Sequence, residues 1–323
     1  MSYYIGLDLG GTNVKAGLVN DQAEVLGRLQ VPSEVEAGSD RIVQVMAGAA
    51  GQVCEQAGIA IEQVSRVGIG TPGSIDFERG LVVSAPNLPS FVDFPLRDRI
   101  AEKAGVPAEL ENDANAAAFG EFWAGAGRDK SIRHMIMLTL GTGIGSGVIV
   151  DGRLVRGGFG YGGEGGHMII VADGRLCNCG QRGCLEAYAS ATNTGKRAGE
   201  AVAAGESSAL KVVLDRTGQV TSKEVFGAAA AGDGLAGRIV QETAGYLGIA
   251  CVNICRIFDP QMIVFAGGMI LAGDALFNAI RTAYREHNWK MVDTPVQIVP
   301  AALGNDAGFI GAAAVAWDAD QNR

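Results

Sequence analysis

The sequence predicts an α/β protein of two domains that close on a cleft, and three observations carry that expectation. Short apolar strands alternate with segments of helical spacing along the whole chain, as mixed layers require. The 323 residues suffice for two domains of ordinary size, each with its own core. A module of strand, polar glycine turn and strand opens the chain at YYIGLDLGGTNVKAGLVN and returns at MIMLTLGTGIGSGVIV, which suggests an internal duplication whose copies face each other.

Taken in order, Tyr3 to Leu9 reads as a buried strand, the residues after Gly11 as a second and Glu24 to Val31 as a third. Arg41 to Ala57 places Ile42, Val45, Met46 and Val53 on one side of a helix. Val64 to Ile69 is a strand that stops at Thr71-Pro72-Gly73, the kind of strand end where open α/β sheets carry ligands. Asn87 sits in a similar loop, SAPNLPSF. Asp98 to Ala104 reads as a short helix and Pro107 to Leu110 as a strand, after which Glu111-Asn112-Asp113 opens the helix ANAAAFGEFWAG. A first domain is expected over 1–115 with 305–323, and a second over 116–304. In the second, His134 to Leu140, Gln261 to Phe265 and Val296 to Val299 read as strands, and 187–204, 235–258 and 275–287 as helices. The final helix, Ala307 to Ala319, is expected to pack back on the first domain.

Hydrophobic residues make up 48% of the chain and charged residues 19%, as in a soluble globular protein. A net charge of -9 argues against nucleic acid as the main partner, because that binding rests on a basic surface. No apolar stretch reaches the length needed to span a bilayer, and Met1 runs directly into a strand, so no membrane contact and a cytoplasmic location are expected. The 48 glycines follow no collagen period and cluster beside strand-like runs, marking turns under ligands or close backbone packing.

The stretch 163–186, GEGGHMIIVADGRLCNCGQRGCLE, gathers ligands at a spacing that suits a metal. Cys177, Cys179 and Cys184 with His167 make a tetrahedral zinc site of the Cys3His type, and Gly180 and Gly183 allow the tight bends. The alternative is three buried or disulfide-bonded cysteines. Six cysteines in a chain read as intracellular favour metal. Glu164 and Glu186 frame the cluster, so a zinc clamp would hold two acids and an imidazole in position to grip sugar hydroxyls.

Asp8 with Gly10, Gly11 and Thr12 puts a carboxylate, two residues without side chains and a hydroxyl at one turn. Exposed backbone N–H groups there can cradle phosphate oxygens, and the carboxylate can hold magnesium through water. Gly141-Thr142-Gly143 offers a second such nest, and Gly267-Gly268 leaves room for a flat adenine or ribose. Each cluster alone is as well explained by a hairpin turn. No frame of LGTGIGSGV fits G-x-G-x-x-G, that stretch runs into a strand instead of a helix, and G-x-x-x-x-G-K-[ST] is absent, so phosphates would have to bind on hairpin turns. Asp113 is the acid expected at a reaction centre, since it follows a strand and opens a helix. A plain helix cap is the competing explanation, although Glu111, Asn112 and Asp113 together supply more polarity than one cap needs.

DLGGTNVK (8–15), GTPG (70–73), ENDANAAAFGE (111–121), LGTGIGSG (140–147), GEGGHM (163–168), CNCGQRGCLE (177–186) and FAGGM (265–269) together resemble the ROK sugar kinases, almost throughout the chain. The resemblance implies a two-domain, actin/hexokinase-like (ribonuclease H-like) α/β fold with a cleft between the domains. It implies ATP with Mg2+ as donor and a hexose as acceptor, with Asp113 as general base. By the same likeness Asn87, Asn112, Asp113, Glu164, His167 and Glu186 bind the sugar, and His167, Cys177, Cys179 and Cys184 hold a structural Zn2+. EFWAGAG (121–127) and LEAYASAT (185–192) make the chain most like bacterial glucokinases, with an N-acetylmannosamine or N-acetylglucosamine kinase as the alternative. Sugar-responsive repressors of the family carry an extra DNA-binding region before the first phosphate turn, and only seven residues precede Asp8 here, so a repressor is not expected. The family's habit implies a homodimer.

Overall fold

The computed structural model describes residues 1–292 and 295–322. It divides into two compact units: 1–132 with 147–163 and the residues from Ala302 onward, and 133–146 with 164–301. Against the expected limits of 115 and 305, the first unit runs on to Ile132, takes in 147–163 and resumes at Ala302.

The first unit begins with β1 (Tyr3–Leu9), β2 (Asn13–Asn20), β3 (Val25–Pro32) and α1 (Ser39–Ala57). β4 (Val64–Thr71), β5 (Ser74–Asp76), β6 (Leu81–Ser84), β7 (Val92–Phe94), α2 (Leu96–Ala104), β8 (Ala108–Asn112) and α3 (Asp113–Ala124) follow. Its main sheet has the order β3-β2-β1-β4-β8. Short turns make β1, β2 and β3 antiparallel; helices before β4 and β8 return the chain to the same edge, so those strands pair parallel. Ile5, Leu7 and Leu9 are fully buried in one core with Ile42, Met46 and Val53 of α1.

The chain continues through β9 (Met135–Leu140), β10 (Ile144–Val150), β11 (Arg153–Leu154), α4 (Glu186–Ala189), α5 (Ala191–Ala203), α6 (Leu210–Thr217) and α7 (Ser222–Ala230). It ends with α8 (Gly234–Phe258), β12 (Met262–Ala266), α9 (Asp274–His287), β13 (Gln297–Pro300) and α10 (Ala307–Gln321). The second sheet has the order β11-β10-β9-β12-β13, with β9, β12 and β13 parallel. It repeats the first sheet strand for strand, so the duplication suggested by the two glycine modules is present as topology.

The expected helix over 187–204 is broken at Ser190, whose hydroxyl accepts the Asn193 N–H at 3.1 Å and so caps a new helix. Three elements lie outside the sequence reading: α6, α7 and the small sheet β5-β6-β7.

The last helix packs against the first unit as expected, on β1, β4 and α3. It does so through small residues. A Cβ on Gly6 would overlap the Phe309 carbonyl, one on Gly68 the Ala312 carbonyl, and one on Gly311 the Ala116 carbonyl. Part of the glycine excess therefore serves backbone-to-backbone packing. At the end of the 111–121 motif, fully buried Glu121 accepts the backbone N–H groups of Ala302 and Leu303, at 3.0 and 2.7 Å, fixing the approach to α10. No described helix is long and apolar enough to cross a membrane.

Candidate active site

Two carboxylates occupy the ends of neighbouring elements in the first unit. Asp8 is the penultimate residue of β1 and Asp113 the first of α3. Burial pushes the Asp8 carboxyl up to about 6; the charge of Asp113 adds to the rise and Lys15, its cross-strand partner on β2, opposes it. Burial also raises Asp113, against hydrogen bonds led by the Ala114 N–H. A carboxyl whose pKa is raised is a better proton acceptor than one at its ordinary value. Gly308 lies flush against Asp8, since a Cβ there would collide with its carboxylate oxygens. Lys15 and Gly308 were not singled out from the sequence. Lys15 is legible in hindsight from hairpin alternation; Gly308 carries no local signal.

The cap explanation applies to Asn112, not Asp113. Asn112 Oδ1 accepts the N–H groups of Ala114 and Asn115 at 2.9 and 3.2 Å, and its Nδ2 reaches the Gly73 carbonyl at 3.5 Å. Asp113 Oδ1 accepts the Ala114 N–H at 2.9 Å. Fully buried Glu111 is a bracing residue: Oε1 accepts from Asn112 N and Asn115 Nδ2, both at 2.9 Å, and Oε2 accepts from Arg156 Nε at 2.7 Å. At the first turn, Gly10 N–H closes on the Asn13 carbonyl at 2.9 Å, Gly11 and Thr12 are exposed, and Asn87 stands beside Gly11.

In the second unit, the ligand atoms of His167, Cys177, Cys179 and Cys184 all lie within 4.8 Å of one another. All the cysteines are free. The Cys179–Cys184 sulfur separation is 3.7 Å, far from a disulfide bond of about 2.05 Å and close to the edge of about 3.8 Å that a tetrahedral zinc–thiolate site requires. His167 turns Nδ1 towards the Cys177 sulfur at 3.8 Å. Gly180 and Gly183 take φ values of 90° and 86°, the left-handed bends expected of the loop. The donor set thus fits zinc.

Glu186 joins this cluster to the second glycine turn. Its Oε1 lies 3.5 Å from the Cys177 sulfur, and Oε2 accepts the Ile144 N–H at 2.9 Å, filling the space beside Gly143. Glu164 is exposed at the head of a one-turn 3-10 segment, Gly165–His167. Gly166 is tightly enclosed, because a Cβ would overlap the Ile144 carbonyl. Space at Gly165 is also limited, by Ser146 and Leu138.

Gly141, Thr142 and Gly268 line a cavity of 1070 Å³ in the second unit. Its other walls include Thr192, Lys196, Lys223, Phe226 and Met269, an apolar slot with two cations, suited to an adenine base and its phosphates. Gly267, at φ 90°, packs on the Leu140 backbone behind it. The helix residues of this cavity escaped the sequence reading because they come from α5 and α7, remote from any glycine motif.

The ROK family model matches residues 4–319, and the chain belongs to the ROK family. It is 37% identical to a glucokinase of Thermotoga maritima over 311 residues, 96% of each chain. The ROK hexokinase of Thermus thermophilus superposes with a TM-score of 0.86 at 36% identity, over 99% of this chain and 100% of that one. A ROK family glucokinase from Streptomyces griseus, solved with glucose and AMPPNP, gives 0.78 at 34% identity over 98% and 100%. The fold is accordingly the actin/hexokinase-like α/β fold expected from the motifs.

Proposed function

We propose that this chain is an ATP-dependent kinase that phosphorylates the 6-hydroxyl of glucose, with Asp113 as general base. The observation that carries the reading is the half-buried Asp113 carboxylate, raised in pKa and released from capping by Asn112, in a chain so similar to glucokinases.

A primary hydroxyl is a poor nucleophile until its proton has an acceptor. Asp113 takes that proton as the oxygen closes on the γ-phosphorus of ATP, and the bond from that phosphorus to the bridging oxygen of ADP breaks. The rest of the catalysis is positioning and charge. Backbone N–H groups at Gly11–Thr12 and Thr142–Gly143 hold phosphate oxygens, in turns closed by the Gly10 and Gly141 N–H groups, while the 1070 Å³ cavity takes the adenosine. Magnesium, when bound, supplies neutralisation of the phosphate charge, and a single carboxylate such as Asp8 suits an ion that keeps most of its water.

Asn87, Asn112, Glu164, His167 and Glu186 are the residues proposed to hold sugar hydroxyls. His167 presents Nδ1 to the sulfur cluster, which leaves Nε2 for a hydroxyl. Zinc, when bound, supplies a rigid anchor for that imidazole. Glu186 presents Oε1, which lies 3.5 Å from the Cys177 sulfur, to the sugar while Oε2 is held by the Ile144 N–H.

The test is ADP release with MgATP across a panel of hexoses. Glucose should have the highest kcat/KM. If N-acetylmannosamine or N-acetylglucosamine exceeded glucose by tenfold or more (about 1.4 kcal/mol), the substrate assignment would be wrong and the kinase assignment would stand.

A further inference from the structure

Arg156 lies outside every motif that marks this family in the sequence, yet it reaches the root of the catalytic helix. Glu111, with no exposed surface, is the residue it reaches. A carboxylate so buried persists as an anion only when paired and hydrogen-bonded. Arg156 supplies the cation at 2.7 Å, and the other Glu111 oxygen grips Asn112 N–H and Asn115 Nδ2, the residue just before Asp113 and the one two beyond it. The backbone that aims Asp113 is therefore pinned on both sides by one carboxylate, whose charge is balanced by one guanidinium.

Arg156 is itself held. Its guanidinium carbon lies 5.1 Å from the Phe77 ring centroid, and its carbonyl accepts the Gly162 N–H at 2.8 Å, closing a glycine-rich loop. Gly160 of that loop abuts the Phe77 ring.

We propose that Arg156 is a positioning residue for Asp113, acting through the buried carboxylate of Glu111. This rests on the reading of Asp113 as the general base. No contact between Arg156 and sugar or nucleotide is required. A displacement of the base by about 1 Å is enough to cost on the order of a hundredfold in rate, so the effect belongs chiefly in kcat, with at most a small rise in the KM for glucose through Asn112, whose N–H the same carboxylate holds.

The experiment uses the full-length chain with MgATP and glucose, and compares Arg156→Met, Arg156→Lys, Glu111→Gln, Arg156→Met with Glu111→Gln, and Asp113→Asn. The expected result is a fall in kcat of about tenfold to a hundredfold for Arg156→Met, with both KM values within about threefold and partial recovery in Arg156→Lys. In the Glu111→Gln background, where the route is already cut, Arg156→Met should add less than about threefold, because two residues acting through one path are not additive. Thermal midpoints are read alongside. Should Arg156→Met fail to fold, Arg156→Lys and the doubly substituted protein, which buries no unpaired charge, carry the comparison.

The proposal is overturned if Arg156→Met keeps kcat within twofold of the parent. It is also overturned if KM rises while kcat holds, or if the losses from Arg156→Met and Glu111→Gln simply multiply. An inactive Asp113→Asn beside a fully active Arg156→Met removes the Arg156 role alone. Turnover retained in Asp113→Asn removes the base assignment and this inference with it.

Discussion

Asp8 lies half-buried near Asp113, and desolvation together with that neighbouring charge lifts its carboxyl to about 6 against the opposing pull of Lys15. Two acids in one poorly solvated place titrate as a pair, and the proposed chemistry needs both ionised. The site thus holds charge at a cost to the fold, as functional sites often do.

That pairing sets a pH dependence. Below about 6 Asp8 is protonated in the folded protein, so kcat/KM should fall on the acid side with an apparent pKa near 6. Stability should respond in the opposite sense. The folded carboxyl binds its proton near 6 and the unfolded one only near 3.8, so folding takes up protons between those values and the contribution of this group to stability rises as pH falls through 6. A pH–rate profile with no inflection above pH 5 would contradict the assignment.

Gly308→Ala separates function from folding. The new Cβ would strike the Asp8 carboxylate, while alanine favours the helix that Gly308 occupies by about 1 kcal/mol over glycine. Activity should drop at least tenfold, about 1.4 kcal/mol in the barrier, with the thermal midpoint little changed. Gly68→Ala, which drives a methyl into the Ala312 carbonyl, should instead destabilise the first unit by about 1–3 kcal/mol. Denaturant titration of both variants checks the contrast.

The sulfur cluster should hold one zinc ion per chain by elemental analysis. Cys184→Ser should lower zinc content, thermal midpoint and glucose affinity together, because the ligands and the fold share the same loop. Nucleotide binding should weaken as well, since Glu186 lies two residues beyond Cys184 and holds Ile144 N–H at the second glycine turn. Active protein free of zinc would refute the metal assignment.

Gly141 lines the cavity in ordinary backbone geometry, with open space where a Cβ would stand. Gly141→Val should therefore fold normally and intrude on the nucleotide, raising KM for ATP about tenfold or more, equivalent to at least 1.4 kcal/mol of lost binding. Glucose affinity, measured by calorimetry without nucleotide, should stay within about threefold.

Much of this was legible in the sequence where local chemistry dictates structure. The strands β1, β4 and β9 announce themselves as apolar runs ended by glycine or proline, and the Cys3His spacing identified a cluster that the structure brings within 4.8 Å. Other parts depend on contacts distant in sequence. The pairing of Glu111 with Arg156 spans 45 residues, and neither residue type nor spacing forecasts it. β5, β6 and β7 have three or four residues each, too few for an alternation to show. α7 did carry a signal that was passed over: Thr221-x-x-Glu224 is a capping box, and the Thr221 N–H reaches Glu224 Oε2 at 2.7 Å.

The most direct measurement is single-turnover formation of glucose 6-phosphate by the parent protein and by Asp113→Asn, with saturating glucose and MgATP. Loss of the proton acceptor should slow the chemical step by about 10² to 10⁴, leave glucose affinity within about threefold, and not lower the thermal midpoint, because a poorly solvated charge is gone. A variant that forms product within tenfold of the parent rate would show that the proton leaves by another route.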